Sequence, residues 1–410
     1  MTSHPQRRSQ ASEMYLNNTL LKFGIIFILK LGTTCYCNSV IQALYSCSMF
    51  RMDVIEKYQI GILGSQKTAS SLYYKKTEDQ KRYVMTYALG KLFSYMNFHK
   101  ETISVTAPTA FIKTVGEMNS IFKDTSEQQD AHELINFIIN RISEEGDDEL
   151  ESRKKTGSTS LSGAWSTKLG KSVVDKAFQG ITATQICCME CRNSSLHTET
   201  FFDIPVDIPG SSSDTYTLVE LLERMHEKEL LRGQDKLYCE KCMCTQEAEK
   251  SMHYLKLPRT LIVQLKRFKF SEKTGNFLKL HHEIVYPLSL NMSVNSKGLG
   301  DFPQDKKSYQ LQAVVVHIGS TPYGGHYVAV VRRFNKWFIH NDDRISLVDE
   351  NVHSRLYGSK GGLGTSSACA YILIYSETPS VNSSENALSS DILLSSFQQE
   401  LKETSAQEDE

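Results

Sequence analysis

The chain has 410 residues, 40% of them apolar, enough for two or three average domains or one large domain with insertions. The 46 lysines and arginines nearly balance the 47 aspartates and glutamates, which argues against a partner recognised by net charge, such as nucleic acid or an anionic membrane surface. The longest apolar run, 23–29, ends at Lys30 and is far shorter than the roughly 20 residues that span a bilayer.

The N-terminal region is predicted to be mostly unstructured. Residues 1–21 are polar, although 7–32 resemble a poor signal peptide because Arg7 and Arg8 precede an apolar patch. The cysteine pattern argues for a reducing compartment instead, because ten cysteines are clustered as in metal or catalytic sites rather than spread as in a disulfide framework. They lie at positions 35, 37, 47, 187, 188, 191, 239, 242, 244 and 369.

Two helices are predicted in the first half of the chain. Apolar residues recur at helical spacing from Cys37, with Asn38 and Ser39 as possible caps, so Cys35 lies just before or at a helix N-terminus. A second amphipathic helix is predicted over 127–144. The charged and then small polar stretch that follows, 144–163, is predicted to be a surface loop.

The second half is predicted to be rich in strands. Five β-branched and aromatic runs are bounded by Gly, Pro and Asn, at 260–270, 309–319, 325–334, 336–340 and 370–376. After Thr378 the tail is rich in Ser, Glu and Asn and is predicted to be disordered. The chain therefore has a helical front half and a β-rich back half.

Two C-x-x-C pairs predict a metal site. Cys188 and Cys191 form one pair, and Cys239 and Cys242 form the other. Two such pairs supply the four thiolates of a tetrahedral structural zinc site, although buried free cysteines would be the alternative. Cys187 and Cys244 adjoin the pairs and could substitute for a ligand; residues 192–238 must bring the two pairs together.

A cysteine and a distant histidine suggest nucleophilic catalysis. Cys35 has the helix N-terminus that can lower a thiol pKa, and His326 follows Gly324 and Gly325 at the start of an apolar strand. Asn341, Asp342 and Asp343 end the next strand, where one of them could orient the imidazole. A structural histidine and an ordinary turn are the alternatives, so these residues need support from other motifs.

Ordered motifs supply that support. "TTCYCNSVIQAL" resembles the cysteine box of the ubiquitin-specific proteases, and "YGGHYVAVV" followed by "WFIHNDD" resembles their histidine box. "SEQQDAHEL" and "LPRTLIVQLKRF" are similar to two internal signatures of that family, in the same order. The resemblance covers roughly 22–377. "YCNSVIQALYSCSMFR" is particularly similar to the short members that a WD-repeat β-propeller partner activates.

The resemblance implies an α+β fold, the papain-like cysteine protease fold with a helical thumb, a β-sheet palm and zinc-binding β fingers. The catalytic domain would span 22–377, with the fingers inserted at about 178–256, between disordered segments 1–21 and 378–410. The implied activity is thiol-dependent hydrolysis of the isopeptide or peptide bond at the C-terminal glycine of ubiquitin on conjugated proteins.

The resemblance also assigns catalytic roles. Cys35 would be the nucleophile and His326 the general base, with Asn341 at the third triad position and Asp342 as its adjacent alternative. Cys37 would be a bystander.

Substrate and metal residues follow from the same resemblance. Asp130, Gln129, Gly325 and Tyr327 would bind the extended tail of ubiquitin. The two cysteine pairs, Cys188 with Cys191 and Cys239 with Cys242, would hold a structural Zn²⁺ in the fingers. Ubiquitin, ubiquitinated proteins and a β-propeller activator are the expected partners, in the cytoplasm by default and with nuclear entry open.

One segment departs from the family pattern. The family places Asn five residues before the nucleophile as an oxyanion donor, whereas this chain has Lys30 there; about three residues are inserted between Gly24 and Cys35. Loss of such a donor can cost about 10²- to 10³-fold in turnover. Lys30 could donate instead, backbone N–H groups could suffice, or the segment could be a gene-prediction error at an exon junction.

Two rival functions follow from these observations. A catalytically weak or silent ubiquitin-binding scaffold would keep the fold and lose turnover through the Lys30 segment. A zinc-ribbon nucleic-acid module is disfavoured because the chain is nearly neutral and lacks a basic stripe.

Overall fold

The computed structural model describes residues 27–66, 83–98, 105–106, 108–155, 172–209, 215–294, 306–359 and 367–378. The predictions of disorder over 1–21 and over almost all of 378–410 lie outside these residues. The chain divides into the units Met1–Ser376 and Glu377–Glu410, and the description below concerns the first. Among the described helices, none is at once long enough and apolar enough to cross a membrane.

The helices lie in the first half of the chain, with one further short helix in the second. They are α1 (Cys35–Ser46), α2 (Ser48–Gln66), α3 (Val84–Phe98), α4 (Thr109–Met118), α5 (Ala131–Lys155), α6 (Val173–Phe178) and α7 (Leu218–Arg224).

Helix α1 is the buried centre of the helical layer. Every residue from Cys35 to Tyr45 is buried, including polar ones, as expected for a helix surrounded by other elements on all sides. The prediction that Asn38 and Ser39 cap this helix is wrong. The helix already begins at Cys35, so these side chains lie inside it, and the Ser39 hydroxyl donates to the Cys35 carbonyl at 2.8 Å.

Helix α5 differs from its prediction at both ends. It begins at Ala131 rather than Glu127, because Asp130 Oδ1 accepts the N–H groups of His132 and Glu133 at 2.7 and 3.1 Å and so caps the first turn. It continues to Lys155, through half of the predicted loop 144–163. Charged Glu, Lys and Arg residues there are strong helix formers, so their polarity did not indicate a loop.

The largest sheet has eight strands. Its order is β19-β18-β17-β16-β20-β11-β5, with β15 paired to the N-terminal half of β16. The strands from β16 to β19 are successive antiparallel neighbours, as are β20 and β11, whereas β11 and β5 are parallel. The strands are β5 (Ile204–Val206), β11 (Thr260–Leu265), β15 (Ser289–Ser293), β16 (Lys306–Thr321), β17 (Gly324–Arg333), β18 (Lys336–Asn341), β19 (Arg344–Val348) and β20 (Ala368–Glu377).

Both faces of this sheet are covered. On β16, Ala313 and Val315 face the core that contains α1, whereas Val314 and Val316 face a second core on the other side. Alternate strand residues point to opposite faces, so a strand buried on both sides has an unbroken apolar run such as "AVVV". The helices thus pack against one face of the sheet, and the predicted α+β class is confirmed.

A second sheet extends from the first, with the order β4-β3-β10-β7. Its strands are β3 (Gly180–Cys188), β4 (Ser194–Phe201), β7 (Glu229–Leu231) and β10 (Ala248–Lys256), and the cysteine-bearing pair β8 (Leu237–Cys239) and β9 (Cys244–Gln246) lies between β7 and β10 in sequence. This sheet lies in the predicted fingers segment, although the predicted domain boundaries stay predictions. The remaining pairs are β1 (Phe27–Ile28) with β2 (Val105–Thr106), β6 (Tyr216–Thr217) with β14 (Ile284–Val285), and β12 (Phe268–Ser271) with β13 (Asn276–Lys279).

Arg267 interrupts the strand predicted over 260–270. β11 ends at Leu265 and β12 begins at Phe268, because the fully buried Arg267 side chain turns inward between them. Its guanidinium donates to four backbone carbonyls at 2.6–2.9 Å, those of Ala370, Leu280, His282 and Tyr357. These bonds replace the water that the charge loses on burial and tie four separate segments together.

Candidate active site and metal centre

Cys35 is the first residue of α1, at the helix end where unpaired N–H groups favour a negative charge. Its neighbours Cys37 and Cys47 are buried in apolar surroundings, and this burial raises the pKa of each thiol to about 12. Of the three cysteines in this region, Cys35 is the one at the first position of the helix, which suits a nucleophile.

His326 lies on β17, near enough to Cys35 for the thiol to influence its imidazole. Its Nε2 is 2.6 Å from Asn341 Oδ1, so Nδ1 is the ring nitrogen left to face the sulfur. The Cys35 thiol contributes most to raising the pKa of the imidazole, partial burial opposes it, and the contact with Asn341 raises the pKa further. The predicted pairing of the two strands is confirmed, since β17 and β18 are antiparallel neighbours.

Asn341 and Asp342 point to different partners. Asp342 has a left-handed backbone (φ 50°), which aspartate tolerates better than most residues, and its side chain diverges from that of Asn341. Its Oδ1 accepts from Asn38 Nδ2 at 2.8 Å, and its Oδ2 lies 3.8 Å from Lys30 Nζ. Asn341 is thus the residue that contacts the imidazole, whereas Asp342 contacts the helix that begins at Cys35.

Gly325 places the histidine strand close to its neighbours. Its φ of 151° is strained for other residues, and a Cβ there would lie 2.4 Å from the Ile318 carbonyl oxygen and 2.8 Å from His317 Nε2. Its N–H donates to Gln128 Oε1 at 3.1 Å, which joins the strand to the segment before α5. A Cβ added at Gly324 would have no atom within 4 Å. Of these two glycines, Gly325 is therefore the one whose backbone lies too close to its neighbours for a side chain.

Asp130 is engaged inside the protein. Besides capping α5, its Oδ2 accepts from the Tyr371 hydroxyl at 2.8 Å and from the Tyr327 hydroxyl at 3.5 Å. Tyr327 is buried on the strand of His326, and Gln129 is half-buried beside Asp130. The four predicted substrate residues, Asp130, Gln129, Gly325 and Tyr327, therefore lie on the two segments that flank the cysteine–histidine pair, and their contact with a substrate stays a prediction.

The unusual segment before Cys35 is held in place by the fold. Thr33 donates through both its N–H and its hydroxyl to the Thr125 carbonyl, at 2.8 and 3.0 Å. The Leu31 N–H donates to Thr34 Oγ1 at 3.0 Å, and Asn38 Nδ2 lies 3.5 Å from the Leu29 carbonyl. Hydrogen bonds thus hold the backbone in place on both sides of Lys30.

The two cysteine pairs converge at the end of the second sheet. The sulfur atoms of Cys188, Cys191, Cys239 and Cys242 all lie within 4.8 Å of one another. Cys188 and Cys242 are 4.0 Å apart and Cys191 and Cys239 3.6 Å, close to the roughly 3.8 Å between sulfurs around a tetrahedral zinc ion. Cys187 and Cys244 are not among the four, which removes the ambiguity in the ligand set within the described residues.

The local backbone and the chemistry of the four sulfurs also fit a metal. A left-handed residue follows each pair, Arg192 (φ 57°) and Met243 (φ 55°), and reverses the chain so that both sulfurs face inward. In this coupled cluster the pKa of Cys239 is lowered, mostly by a hydrogen bond from the Cys242 N–H, whereas the pKa of Cys242 is raised, mostly by the Cys191 side chain. Four convergent cysteine sulfurs are a ligand set of structural zinc sites, so the four residues fit a structural Zn²⁺.

Sequence reasoning missed three residues of the site. Asn38 links the helix that begins at Cys35 to Asp342, Gln128 accepts from the strand of His326, and Tyr371 donates to Asp130. Asn38 lies within the cysteine box, and Gln128 is the first glutamine of "QQDAHEL". Only their long-range partners, remote in the chain, reveal what they do.

The arrangement suits nucleophilic acyl transfer. A thiol at a helix start, an imidazole within reach of it and a carboxamide that fixes the imidazole provide a nucleophile, a base and an orienting group.

Comparisons with known proteins agree with this chemistry. The sequence model of the ubiquitin carboxyl-terminal hydrolase family matches residues 28–375. Ubiquitin carboxyl-terminal hydrolase 4 of Arabidopsis thaliana is 33% identical over 84% of this chain and 91% of its own length. Ubiquitin carboxyl-terminal hydrolase 12 of Salmo salar is 33% identical over 86% of this chain and 89% of its own length.

A solved structure shares the fold. The SAGA Ubp8/Sgf11/Sus1/Sgf73 DUB module bound to ubiquitin aldehyde matches with a TM-score of 0.60 and 24% identity, over 88% of this chain and 71% of that chain. The family match and the two relatives confirm the prediction made from the ordered motifs, and the scaffold alternative is not favoured. The chain belongs to the ubiquitin carboxyl-terminal hydrolase family of cysteine peptidases and is a deubiquitinase of the ubiquitin-specific protease fold.

Proposed function

We propose that Cys35, His326 and Asn341 are the catalytic triad of this deubiquitinase. The observation that carries the proposal is the position of the His326 imidazole, which is influenced by the Cys35 thiol at the start of α1 and has its Nε2 2.6 Å from Asn341 Oδ1. A neutral carboxamide can accept from Nε2–H and so fix the ring with Nδ1 towards the sulfur. Asp342 does not contact His326 in this arrangement, so it is assigned a different role below.

The reaction follows from these positions. The Cys35 sulfur attacks the carbonyl carbon of the ubiquitin C-terminal glycine, and the carbonyl π electrons move to oxygen. The imidazole takes the thiol proton and passes it to the leaving amine as the C–N bond breaks. Water then attacks the thioester, giving a free ubiquitin carboxylate and restoring the thiol.

The ubiquitin tail is proposed to pass between the two segments that flank the cysteine–histidine pair. Gly325 presents bare backbone on one side, and Asp130 with Gln129 lies on the other. Because Asp130 is held by two tyrosine hydroxyls, one of them from Tyr327, its carboxylate is fixed before substrate arrives. A tail ending in two glycines fits where bulkier side chains could not enter.

We also propose a bound metal ion, a partner and a location for this protein. The four-cysteine cluster is proposed to bind one structural Zn²⁺, which would crosslink the two knuckles at the end of the second sheet. A WD-repeat β-propeller is proposed as an activator on the strength of the segment from Tyr36 to Arg51, and the proposed location is the cytoplasm with access to the nucleus.

The test compares two neighbouring thiols. Hydrolysis of a C-terminal ubiquitin fluorophore is measured for the wild type, Cys35→Ala and Cys37→Ala, with and without a β-propeller activator. Cys37 is equally buried at the same helix start, so its variant controls for damage to the helix. We expect turnover to vanish only in Cys35→Ala. Loss of turnover in neither variant, or equally in both, would overturn the assignment of Cys35 as nucleophile.

A further inference from the structure

Lys30, Asp342 and Asn38 form a polar chain on one side of the nucleophile. The Asp342 side chain is 8% exposed, and its two oxygens contact the Lys30 ammonium at 3.8 Å and the Asn38 amide at 2.8 Å. Asn38 lies three residues after Cys35, one turn along the same face of α1. Asp342 directly follows Asn341, the partner of His326. The charged pair is therefore next to the catalytic groups on both the helix side and the strand side.

This position has an electrostatic consequence. Negative charge develops on the substrate oxygen as the sulfur attacks, and a nearly buried carboxylate close to the Cys35–His326 pair opposes that charge. The charge of Asp342 is felt in the site, because it contributes to raising the pKa of His326. A cation is needed to offset it, and the Lys30 ammonium is the one in contact with this carboxylate.

The loop suits Lys30 for this role. Its neighbours are anchored by the hydrogen bonds from Leu31 to Thr34 and from Thr33 to Thr125, so the backbone at Lys30 has a defined place. Its side chain is 42% exposed and reaches Asp342 from the solvent side, which leaves the ammonium free donors for a second acceptor.

We propose that Lys30 supplies the positive charge that stabilises the oxyanion in this enzyme, and that Asp342 positions its ammonium. The inference rests on the proposed function, since it concerns the same thioester-forming step. Asp342 is then a positioning residue that acts through Lys30 and Asn38, and the unusual segment before Cys35 is a working part of the site.

The experiment separates oxyanion stabilisation from ubiquitin binding. Affinity is measured for unmodified ubiquitin and for ubiquitin aldehyde, whose carbonyl adds the Cys35 thiol to give a tetrahedral hemithioacetal. The proteins are the wild type, Lys30→Met, Lys30→Arg and Lys113→Met, the last removing a charge from an exposed pair on α4 as a control. Turnover of the ubiquitin fluorophore is measured on the same four proteins.

The expected pattern is specific. Lys30→Met should lower kcat by about 10²-fold and weaken aldehyde binding by a similar factor, with ubiquitin affinity unchanged. Lys30→Arg should retain most of both, and Lys113→Met should equal the wild type. Wild-type kcat and aldehyde affinity in Lys30→Met would overturn the inference, as would equal losses of aldehyde and ubiquitin binding, which indicate a structural role.

A double-mutant cycle tests the positioning role. Asp342→Asn keeps an oxygen for Asn38 but removes the charge that holds Lys30. If Asp342 acts through Lys30, its replacement should reduce kcat in the wild type, whereas in the Lys30→Met background it should leave kcat unchanged or raise it, because the uncompensated carboxylate is removed. Additive losses would refute the coupling. Absence of Cys35-dependent turnover in the wild type would instead contradict the proposed function, while aldehyde binding would still report on Lys30.

Discussion

Replacing Gly325 by alanine should impair catalysis far more than the same change at Gly324. The new Cβ would lie 2.4 Å from the Ile318 carbonyl oxygen and 2.8 Å from His317 Nε2. Restoring ordinary contact at the closer atom requires a shift of about 1 Å between β17 and β16. The φ of 151° adds backbone strain of about 1–3 kcal/mol for a residue with a side chain.

That shift acts directly on the base. His326 is the next residue, and the Gly325 N–H also donates to Gln128, so displacement moves the imidazole and loosens its strand together. A misplacement of about 1 Å in a catalytic group can cost about 10²-fold, so kcat should fall by that factor.

The assay pairs kinetics with stability. Steady-state hydrolysis of the ubiquitin fluorophore and the midpoint of urea unfolding are measured for Gly325→Ala and for Gly324→Ala, which has nothing within 4 Å of its Cβ. A kcat for Gly325→Ala equal to that of Gly324→Ala would show that the strand accommodates the methyl group and would refute the geometric argument.

Three further predictions concern the triad, the metal and the core. Asn341→Ala should lower the pKa of His326, because the contact with Asn341 raises it; NMR titration of the imidazole should show the change, and an unchanged pKa would contradict the contact. Cys239→Ser should reduce bound zinc, measured by elemental analysis, and lower Tm, because metal binding contributes directly to folding; full zinc retention would exclude Cys239 as a ligand. Arg267→Met should reduce the free energy of unfolding by about 3–5 kcal/mol, because four buried carbonyls lose their donor. Its exposed neighbour serves as control: Lys266→Met should cost under about 1 kcal/mol in the same denaturation assay, and equal losses would show that burial of Arg267 is not the cause.

Periodicity predicted two of the six described front-half helices, α1 and α5, and the strands of the back half, and it predicted their existence better than their ends. The strands of the back half and the pairing of β17 with β18 were readable because alternating and apolar runs are local properties. The start of α5 and the break at Arg267 were not, because a capping carboxylate and four carbonyl acceptors override local preference. The extension of α5 to Lys155 shows that charge content alone does not separate helix from loop.

By itself, the sequence determined the chemistry of this protein. The spacing of the two C-x-x-C pairs identified the four sulfurs that converge, and the ordered motifs around Cys35 and His326 identified the family. Such information is local, because a knuckle needs two cysteines a fixed distance apart and a helix start needs only its neighbouring residues.

Only the tertiary structure decided how these groups are held. Asn38 meets Asp342 across 304 positions, and Gln128 meets Gly325 across 197. It also decided the contacts of two adjacent residues: Asn341 contacts the imidazole of His326, whereas Asp342 contacts Asn38 and Lys30. The periodicity of the sequence cannot predict such contacts. They form only when packing of the helices and of the sheet brings the start of α1 close to the ends of β17 and β18.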